Sequence, residues 1–369
     1  MDTEILIIGA GAVGISIGYV LSNKGYKVIL IDKEKNFGCH TSSRNTEIIH
    51  AGIYYEPNSY KSTLCNKGKK ILYEFCEKYG VKYKKCGKIF VAYNTNQISS
   101  LEQTYKRSKE NGLNDLIELN INKVKKLEPD IYGKSFLYSP SSGIFDSYSY
   151  METLLNLAND KGLIFAPNCE IMNCEYGINL WEVLIKENKN SSFKINSKII
   201  INSSGNFAIP LYEKIFNKKS LYSINPVKGN YINYNGKHFI NCIIYPAIIP
   251  GKILERVDAV SDVFGNLKFG PNVERTQNID DYSIKTNIID FFYSSIIKYL
   301  PHIDKNKLSL GYSGIRPKIK LKKDLYDDFV FEWENNMSWL NLFGIDSPGL
   351  TSSLGIGEHV EYLIKLRGF

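Results

Sequence analysis

The chain has 369 residues, 43% hydrophobic and 23% charged, with a formal net charge of +8; it is globular in composition and too long for one small core, so two lobes are expected. No apolar run reaches the ~18 residues a membrane-spanning helix needs, and seven scattered cysteines without a C-x-x-C pair argue against a disulfide framework or a zinc site, so no metal is expected. Lysine runs at 67–70, 82–85 and 318–323 read as solvated faces with no nucleic-acid recognition motif beside them, although the charge would steer an anionic substrate and suits peripheral contact with an anionic membrane.

Met1 almost abuts the first predicted strand, leaving no room for a targeting segment, which predicts a cytoplasmic protein. That strand is the apolar run Ile5-Leu6-Ile7-Ile8, of the kind buried in parallel sheets, and it meets Gly9-Ala10-Gly11-Ala12-Val13-Gly14. Gly9 makes the tight turn, Gly11 lets backbone approach a pyrophosphate, and Gly14 lets a helix over 12–24 pack on the strand. The first amides of that helix, from Ala12 and Val13 onward, face the phosphates. A second strand over 27–31 ends at Asp32, placed to accept from both ribose hydroxyls and to repel a 2′-phosphate, with Lys33 beside it. A glycine turn after a strand, before a helix, with an acid at the next strand's end, points to a dinucleotide, FAD or NAD. The loop Gly38-Cys39-His40-Thr41-Ser42-Ser43-Arg44-Asn45 suits backbone lying close to a flat, polar-edged ring and tilts the choice to FAD.

Farther on, the spacing predicts helices over 59–79, 95–111, 149–161 and 284–298, a short helix closed by Leu127-Glu128-Pro129, and a strand over 87–92. A strand over 198–202 meets Ser203-Ser204-Gly205, a second glycine turn that offers Ser204 and Gly205 to the cofactor. The stretch 223–272 reads as sheet, with a hairpin turn at Gly265-Asn266. Gly314-Ile315-Arg316-Pro317 returns the chain to the first lobe, then a strand over 340–343 leads through Ser347-Pro348-Gly349-Leu350-Thr351 into a closing helix over 352–365. The chain visits the cofactor at its start, middle and end, so both lobes are discontinuous: 1–85, 141–222 and 312–369 for the nucleotide, 86–140 and 223–311 for the substrate.

These segments taken together resemble the FAD-dependent oxidoreductases of the D-amino acid oxidase and glycine oxidase superfamily, and within it the L-2-hydroxyglutarate dehydrogenase/oxidase branch. The resemblance rests on residues 42–55, 87–92, Gly143-Ile144-Phe145-Asp146, Ile244-Tyr245-Pro246, Phe269-Gly270-Pro271-Asn272, Gly314-Ile315-Arg316-Pro317-Lys318 and residues 344–351, in that order. It implies non-covalent FAD and an α/β fold with a Rossmann-type FAD-binding lobe under a mostly antiparallel substrate sheet. It also implies oxidation of L-2-hydroxyglutarate to 2-oxoglutarate with electrons leaving to a quinone or oxygen, and it makes a mitochondrial location an alternative. One strand departs from the branch: its histidine and threonine positions hold Asp258 and Val260. A bare carboxylate at Asp258 on the flavin-facing side would repel a dianionic substrate, unless a shift in the loop Pro250-Gly251-Lys252 turns it to solvent.

His50 is the candidate base for a substrate hydroxyl, histidine being the side chain best suited to that task, with a buried structural imidazole as the plain alternative. Of the other histidines, His40 alone is a candidate contact; His238, His302 and His359 lie outside the substrate-facing segments. Arg316, fixed before Pro317, offers a guanidinium fork to a carboxylate, against the alternative of a surface ion pair, and as part of Gly314-Ile315-Arg316-Pro317 it is also a cofactor contact. Lys228 and Tyr245 are further candidates on the substrate sheet. Gly349, Leu350 and Thr351, after Pro348, place a helix amino terminus toward the flavin's pyrimidine edge, where negative charge develops. The expected activity is hydride removal from the carbon of a 2-hydroxy acid. Two readings stand beside it: an amine or amino-acid oxidase, and a flavoprotein with an altered catalytic strand serving as a binding partner.

Overall fold

The computed structural model describes residues 2–114, 116–187, 191–237, 240–248, 256–334 and 337–369; His238 and the loop Pro250-Gly251-Lys252 fall outside them. Strand Asp2–Ile8 is central in the first sheet, parallel to Val28–Ile31 on one side and to Ser191–Asn202 on the other. Ile164–Ala166 and Trp339–Phe343 continue the parallel order outward at either flank. All four residues of Val28–Ile31 and all five of Trp339–Phe343 are buried, as a sheet covered on both faces demands. Helix Ala12–Asn23 packs on Ser147–Asn159 and on the closing helix Ser353–Leu366, so the start, middle and end of the chain share one core.

The expected helices form, with capping setting their ends. Tyr60–Tyr79 starts at Ser59, whose hydroxyl accepts the Ser62 amide at 3.1 Å, and stops at Gly80, left-handed at φ 71°. Ser147–Asn159 begins two residues before expectation because the Asp146 carboxylate caps the Ser149 amide at 3.0 Å. The stretch over 95–111 divides into a 3-10 turn, Thr95–Gln97, and helix Ile98–Glu110, and the helix expected over 284–298 is trimmed to Ile288–Ile296. An unexpected feature is the antiparallel pair Cys169–Tyr176 and Trp181–Glu187 running into Ser191–Asn202. Residues 191–197 of that last strand pair with Trp181–Glu187, while 200–202 pair with Trp339–Phe343, so one long strand carries both neighbours on one edge.

The second sheet is antiparallel except where Ile243–Pro246 runs parallel to Lys88–Ala92. Its order is Leu308–Arg316, Val227–Tyr234, Leu267–Phe269, Ala259–Ser261, Ile243–Pro246, Lys88–Ala92, Ser135–Ser139, Ile117–Leu119. Gly265, at φ 90°, turns the chain between the third and fourth of these strands. The boundary drawn at 312 falls inside Leu308–Arg316, whose register with Val227–Tyr234 continues to Arg316, so residues 312–316 lie in the second sheet.

A ring of four charges joins the two sheets' connecting segments. Lys61 Nζ lies 2.7 Å from Asp327 and 2.8 Å from Asp346, and Lys318 Nζ lies 2.8 Å from Asp327 and 3.0 Å from Asp346. Lys61 and Asp346 are buried, and the signs cancel around the ring. Lys61→Met removes one cation and leaves two carboxylates facing Lys318; removing one partner of such a buried pair costs on the order of 3 kcal/mol. A lowered midpoint in thermal unfolding followed by circular dichroism is the expected result, and Lys67→Met, on an exposed face of the same helix, should leave it unmoved.

Candidate active site

Between the two sheets lies a cavity of ≈ 950 Å³, and the glycine turn brings bare backbone to it. Gly9 has φ 101°, and a Cβ there would come within 2.8 Å of the Ser203 carbonyl oxygen; one at Gly11 would lie 2.9 Å from Ser42 Oγ. Glycine alone permits the two strand-end turns, with Ser204 and Gly205 on the second, to meet here. Gly14 does not line the cavity: its missing Cβ makes room for the Gly9 carbonyl, so it serves the packing of helix on strand.

Asp32 Oδ2 accepts the Ala10 amide at 2.7 Å and Oδ1 the Glu34 amide at 2.9 Å, leaving each oxygen a second lone pair. Burial raises its carboxyl above the usual range, and the two amide bonds oppose that rise. Ser42 Oγ accepts the Ala12 amide at 2.9 Å, the Thr41 hydroxyl donates to the Ile315 carbonyl at 2.9 Å, and the Asn45 amide donates to the Ser42 carbonyl at 2.7 Å. Lys33 packs 3.4 Å over the Phe207 ring and Arg44 4.1 Å over Tyr282. His40 bridges Glu34 at 3.0 Å and the Tyr282 hydroxyl at 2.8 Å. Ala12, Val13 and the loop's Thr41, Ser42, Arg44 and Asn45 all line the cavity; Ser43 does not. Bare backbone beside helix-end amides, with a carboxylate at the neighbouring strand's end, is a donor set that fits the pyrophosphate and ribose of FAD.

The closing helix is observed over Ser353–Leu366, so Pro348, Gly349, Leu350 and Thr351 form the cavity-lining turn that precedes it. Thr351 Oγ1 accepts the His50 amide at 3.1 Å and donates to the Ile48 carbonyl at 3.1 Å, fastening this turn to strand Ile48–Ile49 and to His50 just after it. The imidazole is held at both nitrogens, Nδ1 3.3 Å from the Tyr54 hydroxyl and Nε2 3.2 Å from Ser347 Oγ. Burial, with Lys88 and Arg256 adding repulsion, lowers its pKa well below 6.5, so it is neutral at pH 7.

The second sheet roofs this end of the cavity with residues from successive strands. They are Arg316, Tyr231, Asp258 with Arg256, Tyr245 and Phe90. Among the described residues no carboxylate lies within ion-pair distance of Arg316, whose guanidinium faces the Tyr231 hydroxyl. Gly314, on the same strand, approaches the Arg44 carbonyl too closely for a Cβ. Lys228 is different: it pairs with Asp281 at 3.2 Å and does not line the cavity. It stands an odd number of residues from Tyr231 on one strand and so points to the other face.

Asp258 is not the bare carboxylate expected, nor is it turned to solvent. It is 3% exposed, and Arg256 holds it at two points, Nε to Oδ1 at 2.6 Å and Nη2 to Oδ2 at 3.0 Å. Val260, two residues on, is fully buried among apolar side chains. Arg256 stacks 4.1 Å from the Tyr245 ring centre and the Lys88 ammonium lies 3.9 Å from the same ring. Lys88 is 1% exposed, and burial pulls its pKa down to about 7. Lys88, Arg256, Tyr54 and Ser347 were missed in the sequence. The available signals were a lysine inside the apolar strand Lys88–Ala92, and an arginine two residues from Asp258, hence on the same strand face.

Fold and site together define a two-lobed, dinucleotide-dependent oxidoreductase. Residues 4–363 match the family described as FAD dependent oxidoreductase (DAO), and the chain belongs to that family, with FAD as its cofactor. The chain is 32% identical to the mitochondrial L-2-hydroxyglutarate dehydrogenase of Arabidopsis thaliana, over 97% of this chain and 82% of that one. It is 27% identical to the glycerol 3-phosphate dehydrogenase of Caloramator mitchellensis, over 98% and 74%. Its fold matches FAD-bound L-alpha-glycerophosphate oxidase from Mycoplasma pneumoniae with a TM-score of 0.89 at 23% identity, covering 99% of this chain and 95% of that one. Among the described residues no helix is long and apolar enough to cross a membrane and no group of three or more metal-ligating side chains occurs.

Asp32→Ala should weaken FAD retention without unfolding the protein. Charge-assisted hydrogen bonds are worth about 1.5–3 kcal/mol, so the Kd for FAD should rise roughly tenfold to a hundredfold. The flavin-to-protein absorbance ratio after gel filtration reads this directly, and an unchanged ratio would remove Asp32 from the ribose site.

Proposed function

We propose that this protein oxidises L-2-hydroxyglutarate to 2-oxoglutarate, passing electrons on to a quinone-type acceptor or to oxygen. The observation that carries the reading is a roof with cations at two separated positions. Arg316 ends one strand, and Arg256, with Lys88 behind it, precedes strand Ala259–Ser261, which two other strands separate from the strand of Arg316. Side chains converging from those positions suit a short diacid held at both ends, and the kinship with L-2-hydroxyglutarate dehydrogenases supports the same substrate. Contact of the basic segment 318–323 with an anionic membrane suits a quinone acceptor.

Arg316 takes the carboxylate next to the reacting carbon, and Arg256 takes the distal one. His50, neutral and held between the Tyr54 and Ser347 hydroxyls, accepts the proton of the 2-hydroxyl as the C–H bond breaks. FAD, when bound, supplies the two-electron acceptor that takes the hydride. The Tyr231, Tyr245 and Phe90 rings cover this end of the cavity and limit water there.

The reading is tested by mixing the yellow protein anaerobically with L-2-hydroxyglutarate, its D-enantiomer, L-lactate, sn-glycerol 3-phosphate and L-amino acids. Bleaching of the flavin band by L-2-hydroxyglutarate ahead of the others is expected; rapid bleaching by an amino acid alone would replace the reading with an amine oxidase. The dependence of kcat/KM on pH follows from the two shifted groups, since it reports ionisations of the free enzyme. His50 is lowered, so the acid limb should lie well below pH 6.5; Lys88 loses its charge as pH rises through about 7, so kcat/KM for the diacid should fall above that point. In Lys88→Arg the basic limb should disappear while the acid limb stays.

A further inference from the structure

We infer that Asp258 sets how much negative charge the distal end of the substrate site accepts, admitting a singly charged carboxylate and excluding a dianionic phosphate. The inference rests on the diacid reading above and concerns the position where this chain departs from the branch it resembles. Two of the five N–H groups of Arg256 are committed to Asp258, so the pair enters the cavity as a nearly neutral unit. The titratable groups facing Asp258 are Arg256, Lys88, Tyr54, Tyr231, Tyr245 and Tyr299. Burial pushes all four tyrosines upward, so they stay neutral. Arg256, Lys88 and Asp258 therefore decide the local balance, which is at most one net positive charge.

One carboxylate matches that balance. A phosphate monoester carries about −1.5 to −2 at pH 7, and its second charge would face the buried Asp258 carboxylate. Repulsion between that charge and the carboxylate should cost the phosphate at least about tenfold in kcat/KM. The distinction matters because relatives of both kinds match this chain along nearly its whole length.

The test compares kcat/KM for L-2-hydroxyglutarate and sn-glycerol 3-phosphate at pH 8 in the wild-type holoenzyme and in Asp258→Asn, with FAD content confirming that each is folded. The wild type should prefer the diacid, and the preference should narrow by about tenfold or more in Asp258→Asn. An unchanged ratio in the FAD-loaded variant overturns the inference and leaves the diacid reading standing. A wild type that prefers glycerol 3-phosphate overturns the diacid reading itself. Should Asp258→Asn fail to fold, competitive inhibition decides with Asp258 in place. Between pH 5.5 and 7.5 glycerol 3-phosphate gains its second charge, the pKa being about 6, whereas glutarate is ionised at both ends through most of that range. The series is run in Lys88→Arg, which keeps its charge through this range, so that titration of Lys88 does not enter the ratio of the inhibition constants. That ratio should move about tenfold against the phosphate as pH rises, and a flat ratio overturns the inference.

Discussion

The constraint that shapes this molecule is buried positive charge. Arg256, Arg316 and Asp258 line one cavity, and Lys88 lies behind them over the same Tyr245 ring as Arg256. Taking such charges from water is costly, and the protein offsets the cost in three ways. Arg256 is paired, Lys88 and Arg256 lie over the electron-rich Tyr245 ring, and Lys88 relinquishes part of its charge near neutral pH. What remains is electrostatic deficit that an anionic substrate relieves, so binding energy is stored in the fold before the substrate arrives. Burial, with that field added to it, keeps His50 neutral, the form that the proposed reaction needs at the hydroxyl proton.

That arrangement survives only if the surrounding segments cannot shift. Arg316 is followed two residues later by Lys318, and Ser347, which touches His50, is preceded by Asp346; both neighbours belong to the alternating ring with Lys61 and Asp327. The ring carries no net charge, so it fixes position without disturbing the field in the cavity. It is anchored through Lys61 to the first turn of helix Tyr60–Tyr79, where Asp328 accepts the amides of residues 60 and 61 at 3.0 and 2.9 Å.

The nucleotide half of the site was legible in the sequence because its chemistry is local. Gly9, Gly11 and Asp32 act through backbone geometry within one βαβ unit, and spacing along the chain is enough to place them. The helices read from spacing exist, although Ala208–Phe216 was not foreseen, and ends moved by a few residues where a side-chain cap such as Asp146 decided them. The substrate half is built from five strands far apart in sequence, and neither Lys88 beneath Tyr245 nor the direction of Lys228 can be read from local pattern. Asp258 shows the difference most plainly: read alone it is a repulsive carboxylate, and only its two-point contact with Arg256 turns it into half of a nearly neutral pair.

Cofactor and substrate ends are connected through one short turn. The Thr351 hydroxyl bonds both the His50 amide and the Ile48 carbonyl, four residues after Ser347 meets the imidazole. The residues between, Pro348, Gly349 and Leu350, line the cavity on the path to the closing helix. The turn thus grips His50 at its backbone amide and at Nε2, while Tyr54 holds Nδ1 from outside the turn. In the proposed reaction the same turn borders the cofactor end of the cavity and the proton acceptor, and the roof cations select which carbon stands between them.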